Sequence, residues 1–250
     1  MLGRSDPDPV LAHNAGASGP VLLTCEHAGQ AVPSVLGDMG VSDQDWQRHI
    51  AWDVGALKVA ERMSNLLDAR LIAQRYSRLV IDCNRALISP DLMPEVSDGT
   101  SIPANSDLTD AARHDRISGI HQPYHHHIAS EIERQRPALL ISVHSFTPHM
   151  NGQNRPWHCG YLANRMPAAA EALAMMSVAR APYLNFAVNE PYTVDDISDY
   201  TLPVHGEVNA IPHALLEIRN DQLQGDVGID FWADFLAGAI QTYLRSIENG

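Results

Sequence analysis

The chain is short of cations, short of cysteine and without any long apolar run. Lysine and arginine together number 17 against 30 aspartates and glutamates, a formal charge of −13 with histidine neutral. That balance argues against a nucleic-acid or anionic-membrane surface, and any anionic substrate has to be met by local arginines. Three cysteines, Cys25, Cys83 and Cys159, are odd in number, widely spaced and never paired as CxxC. They exclude a disulfide framework and read as reduced core residues of a cytoplasmic protein. No stretch of about 18 apolar residues occurs, and positions 1–19, rich in Asp, Pro, Gly and Ala, lack a basic-then-apolar leader pattern. There is no internal repeat and no low-complexity segment. With 250 residues, 45% of them hydrophobic, the chain can bury one sizeable core. The expectation is a loose N-terminal arm over 1–19 and a single domain over 20–250.

What is present alternates short apolar strands with longer helical stretches, the pattern of an α/β layered fold. Strands are expected at Val21–Cys25, Leu71–Arg75, Leu79–Cys83, Ala138–Val143, Cys159–Leu162 and Ala214–Ile218. Helices are expected at Asp43–Leu67, Thr109–Arg134, Pro167–Ala179 and Ile229–Ser246. Ser42 can cap the first of these by accepting the Asp45 amide, with Asp45 reaching back. The segment from Ala86 to Asn105, carrying Pro90, Pro94, Gly99 and Pro103, is too long for a plain connector and could cover a site. Pro203 to Pro212, with His205 and Glu207, could form another wall.

Two histidines end apolar strands: His27 in Thr24-Cys25-Glu26-His27-Ala28-Gly29, and His144 in Ile141-Ser142-Val143-His144-Ser145. Sheet rims are where ligands bind, and a catalytic zinc takes about three His, Asp or Glu ligands while keeping one position open. A lone histidine of this kind is usually a hydrogen-bonded core residue; two in analogous places favour a metal site. Glu26, Asp53 and Asp82 could supply an acidic third ligand. Asp53 is the choice, because a carboxylate inside the apolar stretch His49–Gly55 is costly to bury without a cation, the alternative being that it faces solvent.

Asn84 and Arg85 end the run from Tyr76, and Arg85 can take a carboxylate with two parallel hydrogen bonds, which suits an acidic amino acid. Arg78 is either a second anion contact or a surface ion pair. Glu217, within the apolar run before Arg219, can carry a proton to a leaving nitrogen, while Arg219 can hold a substrate carboxylate or polarise the carbonyl. In His121-Gln122-Pro123-Tyr124-His125-His126-His127, positions 121 and 125 share a helix face and could support the site, the rest facing solvent.

Together these pieces resemble the N-formylglutamate amidohydrolase family: Glu26-His27-Ala28-Gly29, Ala51–Ala56, Tyr76-Ser77-Arg78 through Asn84-Arg85, Ser97–Thr100, His121–His125, His144–Pro148, Asn189-Glu190-Pro191-Tyr192 and Glu217-Ile218-Arg219, in order from Val21 to Asp221. The resemblance implies a three-layer α/β sandwich around a mixed sheet, like the zinc carboxypeptidases and the aspartoacylase group. It implies one zinc held by His27 and His144, substrate contacts from Asn84 and Arg85, and Glu217 as general acid/base. The wider group has a Glu three residues after the first His, where this chain has Gln30, so the acidic ligand must come from elsewhere. The implied reaction is hydrolysis of an N-formyl or other N-acyl acidic amino acid such as N-formyl-L-glutamate, a step of amino-acid catabolism that includes histidine degradation. A metal-dependent peptidase or cell-wall amidase, and a non-catalytic binder of acylated amino acids or metal, are the competing readings.

Overall fold

The computed structural model describes residues 1–150 and 152–249. Its centre is a seven-stranded sheet: β1 (Val10–His13), β2 (Val21–Cys25), β3 (Arg70–Gln74), β4 (Leu139–Phe146), β5 (Cys159–Leu162), β6 (Phe186–Val188) and β7 (His213–Arg219). The spatial order is β1-β3-β2-β4-β7-β5-β6. The middle four strands run parallel, β1 and β5 pair antiparallel with their inner neighbours, and β6 runs parallel to β5. Strands β2 and β4 are buried along their whole length, as parallel strands covered on both faces must be.

Helices cover both faces. On one side α1 (Ala56–Leu66), α3 (Ala168–Arg180) and α4 (Gly225–Glu248) pack their apolar stripes over Leu23, Leu71, Ile141 and Leu216. On the other, α2 (Gln122–Gln135) and the long segment before it bury Leu22, Ile72, Leu140 and Leu215. Because strand side chains alternate, adjacent residues such as Leu22 and Leu23 serve opposite cores. The result is a three-layer α/β sandwich around a mixed sheet. Among the described residues no helix is long and apolar enough to cross a membrane.

Several expectations need correction. Val10–His13, placed in a loose arm, is an edge strand on β3, and Phe186–Val188 adds a strand at the opposite edge. Leu79–Cys83 is buried but is not a strand. Its backbone is coiled by turns, with Ser77 Oγ accepting the Leu79 amide and donating to the Ala51 carbonyl. The helix expected over Asp43–Leu67 is broken: Ser42 caps Asp43–Trp46 as expected, but α1 begins only at Ala56, after Gly55 at φ +84. Asp53 is therefore carried by a turn, not by a helix face. Thr109–Arg134 does form near-continuous helix, from Asp110–Arg116 through a wide turn at Ile117–His121 into α2.

Candidate active site

The carboxyl ends of β2 and β4 bring His27 and His144 together, and the turn before α1 adds Asp53. The Asp53 amide donates to the His27 carbonyl at 2.9 Å, and Ser145 Oγ donates to the Val54 carbonyl, so the turn is pinned to both strand ends. His144 Nδ1 lies 3.0 Å from His27 Nδ1 and 2.8 Å from Asp53 Oδ2, and His27 Nδ1 lies 3.4 Å from Asp53 Oδ2. All three residues are buried.

Behind each imidazole stands a second carboxylate. His27 Nε2 meets Asp82 Oδ1 at 2.7 Å, and His144 Nε2 meets Glu26 Oε2 at 2.8 Å. If each ring donates its Nε2 proton to that carboxylate, both Nδ1 atoms present lone pairs, and they converge with a third acceptor, Asp53 Oδ2. Three acceptors facing one point repel unless a cation sits between them. Their separations are close to the roughly 3.3 Å between ligand atoms of a tetrahedral zinc, and the carboxylate behind each ring is the usual support of a metal-binding histidine. The donor set thus fits a zinc-like ion.

Glu26 is fully enclosed, which opposes ionisation. The hydrogen bond and charge of His144, with a hydrogen bond from Ser142 Oγ, nevertheless hold its carboxyl well below the ordinary range, and Thr201 Oγ1 donates to its other oxygen. Asp53 and Asp82 are likewise held low against burial, the first by His27 and His144, the second by Arg78 and His27. His144, flanked by Asp53 and Glu26, is raised well above its usual value although burial pulls the other way. Gln30 takes no part: its side-chain amide donates to the Trp46 carbonyl.

The turn from Arg78 to Arg85 carries the other expected residues, and it uses most of their polar atoms itself. Arg78 donates from Nε and Nη2 to Asp82 Oδ2, at 3.1 and 2.7 Å, and from Nη1 to Asp53 Oδ1 at 3.4 Å. Asn84 donates from Nδ2 to Asp199 Oδ1, while its Oδ1 accepts the Tyr200 and Thr201 amides. It anchors a neighbouring segment more than it offers a free donor. Arg85 Nη1 donates to the Ser198 and Asn84 carbonyls, and its buried Nε has no partner. His121 and His125 lie beneath this turn, bonding the Arg85 and Cys83 carbonyls through Nε2, while His126 is exposed.

Glu217 enters from β7, directly opposite His144 in the ladder. It is 7% exposed and its Oε2 has no partner. Burial pushes its carboxyl up to about 8, with nearby His144 acting against the rise and Asp53 adding to it. Arg219, expected at the same site, is not among the residues lining the cleft. Two residues further along the strand, it is drawn away by Asp221 at 2.8 Å and by the Arg155 and Pro156 carbonyls.

These groups open into a cleft of about 650 Å³. The 86–105 segment forms one wall through Asp91, Pro94, Val96, Ser97 and Asp98. The opposite wall is not Pro203 to Pro212, whose His205 is buried against His125, but the segment from Asn189 to Asp199. Asp199 and Tyr192 are functional candidates that sequence reasoning did not single out. The quoted Asn189-Glu190-Pro191-Tyr192 motif was the available signal for Tyr192, whereas nothing local marks Asp199. Asp199 is 8% exposed, and burial lifts its carboxyl to about 6 against the pull of Arg85.

A model of the family described as N-formylglutamate amidohydrolase matches residues 19–223. The gene product Atu2144 from Agrobacterium tumefaciens is similar in structure, with 35% identity, a TM-score of 0.94 and 99% of each chain covered. An N-formylglutamate amidohydrolase from Ralstonia eutropha shares the fold at 17% identity and a TM-score of 0.67, over 96% of this chain and 99% of that one. No curated protein matches the sequence. The chain belongs to the N-formylglutamate amidohydrolase family.

Proposed function

We propose that the protein is a zinc-dependent amidohydrolase that removes a small acyl group, such as formyl, from the nitrogen of an amino acid. The convergence of His27 Nδ1, His144 Nδ1 and Asp53 Oδ2, with Asp82 and Glu26 behind the rings, is the observation that carries this reading. A zinc ion there supplies Lewis acidity that polarises an acyl carbonyl and sharpens a water into a nucleophile.

The protein's own groups do the rest. Arg85, in the lining of the cleft, takes a substrate carboxylate through Nη2, holding the amino acid so that its acyl group points down towards the three ligands. Glu217 takes the proton released as water adds to the acyl carbon. As the carbon–nitrogen bond breaks, it passes that proton to the departing nitrogen, so that formate and a free amine leave. A carboxyl whose pKa lies near neutrality is suited to both directions of transfer. Arg78 keeps Asp82 charged and in place, and Asp82 in turn orients His27.

The test is metal analysis of the purified protein together with formate release from a set of N-formyl amino acids that includes N-formyl-L-glutamate. About one zinc per chain and formate release lost on chelation are expected. Formate release that survives complete metal removal would refute the reading.

A further inference from the structure

Arg155 stands at the rim of the cleft with its charge unanswered. Its guanidinium lies 4.8 Å from the centre of the Tyr192 ring and 5.8 Å from that of Phe146, and both rings line the cleft. Nη1 donates to the Tyr192 hydroxyl at 2.8 Å, and Nη2 meets the sulfur of Met150, a third lining residue. These partners hold the side chain in place without cancelling its charge. Nε and one hydrogen on each Nη have no partner among the described residues. In a chain of 30 acidic and 17 basic residues, a held arginine with no carboxylate on it is conspicuous. Arg48 and Arg78 at the same cleft are each paired with two aspartates.

The backbone under Arg155 is fixed from both sides. Pairing of His149 with Asn154 and of Met150 with Gln153 makes a short hairpin after β4, and Arg155 follows it. Its amide donates to the Pro148 carbonyl at 2.8 Å, and its carbonyl accepts from Arg219 Nη1 at 3.3 Å. Arg219 therefore supports from behind the guanidinium that stands where Arg219 itself was expected.

We propose that Arg155 reads the substrate's side chain, taking a second carboxylate at the rim of the cleft while Arg85 holds the first. This rests on the amidohydrolase reading and deepens it. The two arginines touch different parts of the 189–199 wall, Arg155 at Tyr192 and Arg85 at Ser198. Two such cations on one wall suit a substrate with two carboxylates, and a guanidinium already held by aromatic faces loses little freedom when it binds one.

N-formyl-L-glutamate and N-formyl-L-glutamine, nearly equal in shape and differing by one charge, test the assignment in the zinc-loaded enzyme. Arg155→Met keeps the length of the side chain and removes its charge. It should lower kcat/KM for the glutamate compound by at least about tenfold, the factor set by 1.4 kcal/mol, and move the glutamine compound by less than about threefold. An equal fall for both compounds would make Arg155 only a strut for Tyr192, and that result or an unchanged value for the glutamate compound overturns the proposal. Arg155→Lys keeps a charge without the fork, so its glutamate-to-glutamine ratio should lie between those of the parent and Arg155→Met. If Arg155→Met does not fold, the Lys variant decides, and a ratio equal to the parent's overturns the proposal. Should the parent release formate from neither compound, the amidohydrolase reading fails and calorimetry decides the assignment on its own. Kd for the glutamate compound should then rise at least about tenfold in Arg155→Met while that for the glutamine compound holds. Equal changes, no change, or no binding of the glutamate compound to the parent overturns it.

Discussion

Glu217 stands directly across the β4–β7 ladder from His144, so the orphaned acid and the proposed metal ligand share one face of adjacent parallel strands. Register alone fixes this neighbourhood, since a one-residue slip would turn Glu217 to the other face of the sheet. Glu217→Gln keeps the shape of the side chain and removes its ability to carry a proton. It should lower kcat by about 10²–10⁴-fold. Zinc content should stay near one per chain, since Glu217 is not among the three convergent ligands. A variant with full kcat would exclude Glu217 from proton transfer.

The carboxylates behind the histidines should matter almost as much as the ligands. Asp82→Asn and Glu26→Gln each leave a neutral acceptor in place of a charge behind His27 or His144. Zinc affinity, measured by competition with a chelator, should fall about 10–100-fold in each. His144→Ala should abolish stoichiometric binding altogether. If Asp82→Asn binds zinc as tightly as the parent, the orienting role of Asp82 is wrong.

Much of the sheet was legible in the sequence because its parallel strands are unbroken apolar runs; Val21–Cys25 and Cys159–Leu162 have the boundaries expected of them. Leu79–Cys83 looks the same by composition. Nothing in its periodicity reveals that Ser77 and Ala51 fold it into a turn. The strand at Val10–His13 is apolar at three of its four positions but was hidden by its brevity and by the Asp-, Pro- and Gly-rich residues on either side. At the site, His27, His144 and Glu217 could be found because each interrupts an apolar strand, and Asp53 because it interrupts an apolar segment. Arg219 follows the same logic and fails it: Asp221 captures a side chain that alternation alone would have aimed towards the cleft. Asp199 belongs to no such pattern and is brought in by Asn84, 115 positions away in the sequence.

Asp199 gives a pH-dependent signature of stability. Burial lifts its carboxyl to about 6 from the ordinary value of 3.8. Between those values the folded protein still holds a proton that the unfolded chain has released, so this group's contribution to stability is lost as pH rises through the window. Asp199→Asn removes the penalty while leaving an oxygen to accept from Asn84. In protein stripped of metal, Asp199→Asn should match the parent in Tm near pH 4 and exceed it above pH 6. The gain should be several degrees, since about 1 kcal/mol moves Tm by about 2–4 °C in a chain of this size. An unchanged difference between pH 4 and pH 7 would show that Asp199 does not titrate as stated.

The wall at 189–192 rests on a glycine. A Cβ at Gly160 would lie 1.8 Å from the Glu190 carbonyl oxygen, so any side chain there pushes the segment bearing Tyr192 away from β5. Gly160→Ala should cost about 1–3 kcal/mol by overpacking. It should also raise KM more than it lowers kcat, because the displaced wall lines the cleft while the proposed metal ligands are carried by other strands and by the turn before α1. Steady-state kinetics read beside a denaturant titration check both halves.

Arg116 is the strut of the opposite wall. It is 1% exposed and bonds no carboxylate; it donates instead to the Val80 carbonyl at 2.9 Å, Asn105 Oδ1 at 2.6 Å and the Ala104 carbonyl at 3.0 Å. Asn105 passes the restraint on, donating from Nδ2 to the Leu79 and Pro94 carbonyls. One guanidinium therefore ties the turn carrying Asp82 to the base of the 86–105 segment. Burial without a counter-charge lowers its pKa to about 10, still far above neutrality, so the cation persists. Arg116→Met fills similar space but strips three acceptors of their donor, each loss costing about 1–3 kcal/mol. Arg116→Lys restores the charge on a single point and should recover only part of the loss. The expected order of urea midpoints is parent, then Lys, then Met, with KM rising along the same series while zinc content holds. A KM unchanged in Arg116→Met protein that still folds would mean that the 86–105 wall keeps its place without this strut.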